Sequence, residues 1–510
     1  MEAPAISKSC YTCRRRRIQC DRSKTPCLKC EKAGLDCFEE RPLRWVRGVA
    51  IRGGMRGRSF AKTSAEQVDE SSILSYWSLG TRLKPDVLLP ELSKYVSGAR
   101  SLGVPRAMID VAMSSLDSRS RYYLDYYNDR ICKVFIVYDS EKNPFRSLIP
   151  LGLNEPVLLE TILALAARHL ANAGHLFSDL GERMLPESVN AHCEALHFKH
   201  RAIQGLASTL RNPALYQKDA TIASVFLLVF LDLLESGCDR WNYHLEGAKR
   251  LMTLMKPHDP GRTIEGIRHF ITNQIHLIES LGTTFVRPNL VSKFISAQET
   301  ETPLQDVVEQ SFLGCPGYIL SAVQHFSVVR DRIADGDSAS LTSADNQLHD
   351  IISVQESIKN FDCHAWAANL PQEQSAARDV QQLSMLSRSY QLGASLYGQR
   401  VLDAITQKVT PTGTILSELI EVIGALRDDP SVFKCILWPI FVAGLECKDP
   451  LQRTFLIQSL ETFWEYTYCL NVINAARILQ EYWAQEENRG KLPSQWIFNV
   501  GRQGRDWLLI

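Results

Sequence analysis

The sequence predicts a mostly α-helical protein in three parts. A small cysteine-rich domain spans residues 1–42, a flexible basic linker 43–117, and a large all-α body 118–510. Three observations predict this. Six of the 14 cysteines crowd into residues 10–37, and the other eight are scattered singly from Cys132 to Cys469. Charge divides the same way: residues 1–62 carry 16 Lys+Arg against 6 Asp+Glu, and this balance of +10 is cancelled over the remainder of a chain with 57 of each. From Ser118 onward apolar residues recur at helical spacing, and nothing alternates strongly enough for a sheet. At 510 residues there is room for more than one domain and apolar content for a large core.

The first element is the run Cys10, Cys13, Cys20, Cys27, Cys30 and Cys37, with gaps of two, six, six, two and six residues. The first triplet recurs 17 residues later, so two similar half-units fold around one centre. Thiolates are soft ligands that suit tetrahedral zinc. Two zinc ions with four private ligands each would need more than six sulfurs, and six suffice if two of them bridge. The spacing therefore predicts a binuclear cluster holding two Zn2+. Six thiolates outweigh two divalent ions, so basic residues are expected around it. Paired disulfides are the competing reading. Met1 to Ser9, however, lack the apolar core of a secretory signal, which argues against an oxidising compartment. A RING or LIM site would need histidine or more ligands in this window.

This stretch resembles the fungal Zn2Cys6 binuclear-cluster transcription factors. The likeness rests on the basic run Arg14–Arg17, the Cys20-Asp21 pair and Pro26 before the fourth cysteine, and covers about forty residues. The resemblance implies that Cys10 and Cys27 are the bridging ligands. It also implies that the first half-unit lays its short helix in the DNA major groove and reads a CGG-type half-site. Arginine's planar fork fits guanine O6 and N7, or a phosphate, with two bonds at once. By the same resemblance Arg16 and Arg17 face base edges, Arg14 and Arg15 contact phosphates, and Lys29 approaches the backbone. Gln19 departs from the pattern, since the family usually has lysine there. Glutamine loses the charge but keeps a donor. The basic run also reads as a nuclear localisation signal, compatible with DNA contact. Family precedent would make the Thr25–Pro26 bond cis, against an ordinary trans turn.

Glu39 to Ala65 reads as a linker in which Arg47, Arg52, Arg56 and Arg58 alternate with Gly48, Gly53, Gly54 and Gly57. Such an arm either follows the DNA backbone or a minor groove, or is a solvated tether. Residues 66–115 carry no heptad run, so a homodimer would have to use the helical body.

In the body, Tyr123, Tyr127, Ile131, Val134 and Tyr138 form a helical stripe that breaks at Asn143-Pro144. A helix starting at Pro156 is apolar nearly all round and should be central, with His169 a core histidine rather than a ligand. Further helices are expected over about 188–211, 217–236 and 239–256. In the last, Trp241, Leu245, Ala248, Met252 and Met255 form one stripe, with Lys249 and Arg250 pointing away. Ala334 to Asp350 reads as an exposed loop. Val472, Ala475, Leu479 and Tyr482 form a late stripe, and Trp507 to Ile510 should dock on the body. Cys363 and His364 read as structural or surface residues. The body resembles the fungal-specific transcription factor domain. The carriers are Asp139 with Asn143-Pro144, the run Leu163–Leu170, and Trp241, His244, Gly247 and Ala248. Close helix packing at Gly247 and Ala248 is preferred to any catalytic role.

The most apolar run, Ile222 to Leu234, is too short for a bilayer and contains Asp232, so no membrane partner is expected. No P-loop, dinucleotide glycine motif, H-E-x-x-H or G-x-S-x-G is present, and no enzyme is expected. The reading is a nuclear, sequence-specific regulator of RNA polymerase II genes. Its partners are double-stranded DNA, the transcription machinery and, through the body, a second copy. Resemblance within the family points toward drug resistance or secondary metabolism. The alternative is an interaction protein that uses the cluster only as a staple.

Overall fold

A computed structural model describes residues 9–21, 27–33, 37, 113, 116–178, 186–254, 262–286, 311–334, 341–370, 379–489, 496–502 and 505–510. The chain forms two units, Met1–Ala99 and Arg100–Ile510. In the first, two five-residue helices, α1 (Tyr11–Arg15) and α2 (Leu28–Lys32), start directly after Cys10 and Cys27. The arginine–glycine arm and Pro26 lie outside the described residues.

The second unit opens with α3 (Ser118–Tyr126), capped by the Asp117 carboxylate, which accepts the Ser120 N–H at 2.8 Å. Tyr127–Ile131 then widens into a π turn before the helix ends at Val134, so Tyr138 lies beyond it. Tyr123, Tyr127 and Ile131 are buried as the stripe requires. The break at Asn143 is a lock. Its side-chain oxygen accepts the Phe145 N–H at 3.0 Å and caps α4 (Pro144–Asn154). Its amide donates to the Cys132 carbonyl at 2.8 Å and to Asp139 at 2.9 Å. Arg146 closes the group by pairing with Asp139.

Helix α5 (Pro156–Ala173) packs along α6 (Pro186–Thr209) and against α7 (Asp219–Glu235). Every residue of α7 from Ala220 to Leu234 is buried, because α4, α5, α6, α8 (Trp241–Leu254), α9 (Arg262–Gly282) and α17 (Leu470–Arg489) pack around it. That is why its sequence shows no polar face. Phe230 and Phe270 each meet both Phe145 and Phe226 edge-on at its centre, with ring centroids 5.0–5.8 Å apart. Burial pushes the Asp232 carboxyl up to about 7, although the Lys199 ammonium lies 3.9 Å away. His169 is a core residue. Its Nδ1 lies 2.8 Å from the Tyr126 hydroxyl, and burial holds its pKa down to about 3.

In α8, Trp241, Leu245 and Ala248 are buried and Met252 is half-buried, while Met255 lies outside the described residues. Arg250 is exposed, whereas Lys249 reaches in to Glu279 at 2.6 Å. Gly247 does not have the packing role expected of it. A Cβ there would meet Val225 at 3.6 Å, an ordinary contact, so the close approach does not depend on glycine.

The remainder is α10 (Gly317–Ala334), α11 (Leu341–Lys359), α12 (Cys363–Asn369), α13 (Val380–Thr406), α14 (Gly413–Leu426), α15 (Leu437–Glu446), α16 (Pro450–Thr467), α17 and α18 (Trp496–Arg502). Helix α13 is the axis of this half, touching α10, α11, α12, α14 and α15. Gly393 lets Trp438 lie against it, since a Cβ would come within 2.7 Å of the indole. The loop expected over Ala334 to Asp350 is corrected: α11 begins at Leu341. Packing of Ile351, Gln355 and Ile358 anchors that helix, and propagation from the packed turns carries it back to Leu341. Cys363 is buried, with its thiol 3.1 Å from the Gln391 side-chain oxygen, and His364 is exposed.

The chain end docks as expected. Trp507, Leu508 and Leu509 are buried, and the Leu508 N–H donates to the Gly237 carbonyl at 2.8 Å. The Trp241 indole donates to the Asp506 carbonyl at 3.0 Å. Among the described residues there is no strand, only an isolated bridge between Cys238 and Trp507. Also among them, no helix is long and apolar enough to cross a membrane.

Candidate metal centre and nucleic-acid interface

The two half-units of the cysteine region share one local geometry. Cys10 and Cys27 are N-caps with φ/ψ of −61°/151° and −65°/150°. The Cys10 Sγ accepts the Cys13 N–H at 3.3 Å, and the Cys27 Sγ accepts the Cys30 N–H at 3.4 Å. Each C-x2-C step thus makes a helical turn that aims its two sulfurs at the same centre.

The sulfurs fall into two quartets. Those of Cys10, Cys13, Cys20 and Cys27 lie within 4.8 Å of one another, as do those of Cys10, Cys27, Cys30 and Cys37. Cys10 and Cys27 belong to both. The sulfur separations are 3.8 Å for Cys10–Cys27, 3.8 Å for Cys10–Cys30 and 3.7 Å for Cys13–Cys27. A tetrahedron with Zn–S bonds of about 2.3 Å has edges of about 3.8 Å. A disulfide would need about 2.05 Å, and all six cysteines are free thiols. The donor set therefore fits two zinc ions.

Electrostatics agree. Burial opposes ionisation of Cys10 and Cys27 and is the largest single effect on each, but the N–H groups of Cys13 and Cys30 together with hydrogen bonds from the neighbouring thiols hold both below their ordinary range. Burial pushes the Cys13 thiol up to about 12 and raises Cys30 as well. Ionising the whole set calls for cations among the sulfurs.

Outside this core, Arg14, Arg16, Arg17 and Gln19 are exposed, and so is Lys29 on α2. Arg15 lies on α1 between Arg14 and Arg16. Arg17 is beyond the helix, at φ +56°. The Ile18 N–H bonds back to the Cys13 carbonyl at 3.1 Å, the long bond of a helix-terminating turn. A non-glycine residue at that φ holds a strained backbone. No sequence signal announced this turn, since glycine or asparagine is its usual mark. A second residue gains a role only here: the Asp21 carboxylate accepts the Leu28 N–H at 3.2 Å and so pins the start of the second half-unit to the end of the first.

Comparison with known proteins gives three findings. The family described as the fungal specific transcription factor domain matches residues 122–510. The fungal Zn(2)-Cys(6) binuclear cluster domain matches residues 8–45. Over 98% of its length the chain is 23% identical to the acriflavine sensitivity control protein acr-2 of Neurospora crassa, of which it covers 95%.

Proposed function

We propose, from the premise that this chain belongs to the family of the fungal specific transcription factor domain and carries a Zn(2)-Cys(6) cluster domain, that it recognises CGG-type half-sites in duplex DNA. It is a zinc-dependent, DNA-binding transcription regulator and not an enzyme. The finer reading assigns the parts. Cys10, Cys13, Cys20, Cys27, Cys30 and Cys37 hold two Zn2+, with Cys10 and Cys27 shared. Arg16 and Arg17 read base edges, and Arg14, Arg15, Gln19 and Lys29 hold phosphates. The zinc ions supply rigidity to a fold too small to stabilise itself. The body, 118–510, relays a signal to the transcription machinery at RNA polymerase II genes in the nucleus. The relative's name speaks of acriflavine sensitivity, so control of drug resistance or secondary metabolism is the pathway we favour.

The observation that carries this reading is the pair of sulfur quartets sharing Cys10 and Cys27, with exposed arginines beside them. Selection of zinc-loaded protein on random duplex DNA tests it. Enrichment of a CGG-containing motif is expected. Recovery of no motif at all would leave the cluster as a staple in an interaction protein.

A further inference from the structure

The end of α13 closes on a network of ions that leaves no hydrogen-bonding capacity over. All five N–H bonds of the Arg400 guanidinium are used. Two go to the Glu446 carboxylate at 2.8 and 2.6 Å, and the others to Asp403 at 2.6 Å, the Thr410 carbonyl at 3.1 Å and the Thr412 hydroxyl at 2.8 Å. Glu446 accepts two further bonds, from the Thr412 hydroxyl at 2.9 Å and the Trp496 indole at 2.6 Å. Asp403 accepts three more, from the Gln399 amide at 3.0 Å and from the N–H and hydroxyl of Thr410 at 3.1 and 2.7 Å. Four bonds to each carboxylate fill its lone pairs. Arg400, Asp403, Thr412 and Glu446 are also the polar lining of a cavity of about 550 Å³, within the size range of small-molecule sites. Leu416, Leu445 and Ile497, all buried, supply its apolar lining.

We propose that this cavity binds a small amphipathic monoanion, an apolar chain or ring ended by a carboxylate. The saturated ions have no donor or acceptor left for a ligand, and the apolar lining favours hydrocarbon. Preference for charge comes from the mouth. Lys408 and Lys448 are exposed lining residues, and neither is paired with a carboxylate among the described residues. Asp449, the third acid of the lining, caps α16 and accepts the N–H groups of Leu451 and Gln452, both at 2.9 Å. The acids are thus committed within the chain, and the two ammoniums are not. A lysine on its flexible stem can follow a carboxylate that enters between them. Val409, a lining residue that is 66% exposed, adds apolar surface that the hydrocarbon would cover. Mutual pairing explains why these ions are buried, and a ligand explains the space left beside them. The site lies in the body and involves no DNA, so it stands or falls independently of the CGG reading.

Isothermal titration of sodium decanoate, kept below its micellar concentration, into the full zinc-loaded chain without DNA tests the site. Saturable binding of one decanoate per chain is expected. Acetate, which lacks the hydrocarbon, and decyltrimethylammonium, which reverses the charge, should each bind at least about tenfold more weakly. Lys408→Glu combined with Lys448→Glu, at two exposed residues, should weaken decanoate binding at least about tenfold. Gly413 lines the cavity, and a Cβ there would meet no atom within 4 Å. Gly413→Trp should therefore fold as the native chain does and abolish binding by taking up the space. Thermal unfolding midpoints check that both variants are folded. If Gly413→Trp is not, the comparison of decanoate with acetate decides in its place whether the apolar lining takes part. No binding by the native chain, equal binding of the cation or of acetate, or a titration indifferent to the lysine pair overturns the proposal. So does a folded Gly413→Trp that binds decanoate like the native chain, because binding would then be ion pairing at the surface.

Discussion

At the scale of single residues, Arg17 combines two properties that can be separated. Its guanidinium is exposed beside the metal centre, and its backbone sits at φ +56°, where a side chain costs about 1 kcal/mol or more. Arg17→Ala should weaken binding to the best DNA site by about 1–3 kcal/mol and relax specificity at one base pair. Arg17→Gly should lose the same specificity while holding the turn at least as firmly as the native chain. Binding titrations on matched and mismatched duplexes check both. A loss that is uniform across sequences would place Arg17 on a phosphate instead. The sulfurs show the same separation of roles: Cys10 and Cys27 differ from the other four by lying at helix starts and in both quartets.

At the scale of elements, the junction between α3 and α4 depends on one amide. Asn143 caps α4, satisfies the Cys132 carbonyl left by the π turn, and orients Asp139 toward Arg146. Hydrogen bonding to Arg146 and Asn143 holds the Asp139 carboxyl below its ordinary value against the opposing effect of burial. Asn143→Ala removes a cap, worth about 1 kcal/mol, and leaves a buried carbonyl unpaired, worth about 1–3 kcal/mol. The expected loss is therefore about 2–4 kcal/mol in denaturant unfolding of the body. A loss under half a kcal/mol would mean that water replaces the amide. Asn143→Asp keeps the cap but turns an acceptor toward the Cys132 carbonyl and the Asp139 carboxylate, so it should lose at least as much as Asn143→Ala. The asparagine–proline pair was visible in the chain as a break. Asp139 was singled out beside it, but the Cys132 carbonyl was not, because no spacing rule encodes a partner eleven residues back.

At the scale of the molecule, metal and body are separable. Chelation of zinc should abolish DNA binding yet barely change helical circular dichroism, since α1 and α2 contribute only five residues each. A large loss of helix on chelation would mean that the body depends on the metal. Much of this architecture was legible beforehand, and the reason is periodicity. Cysteine spacing announces a metal cluster because sulfur geometry tolerates few alternatives, and the stripe Val472, Ala475, Leu479 and Tyr482 marks a helix because one buried face imposes one repeat. The polar turns of α11 misled because a helix anchored at Ile351 can propagate beyond its packed turns without an apolar stripe there. Composition and spacing by themselves determined the class of metal centre, the helical body and the kind of partner. Only the tertiary structure decided the distances within the two sulfur quartets, that Asp21 joins the half-units, and that Asn143 reaches the Cys132 carbonyl. Those outcomes depend on where separate segments meet in space, and a linear pattern does not specify distances between residues far apart in the chain.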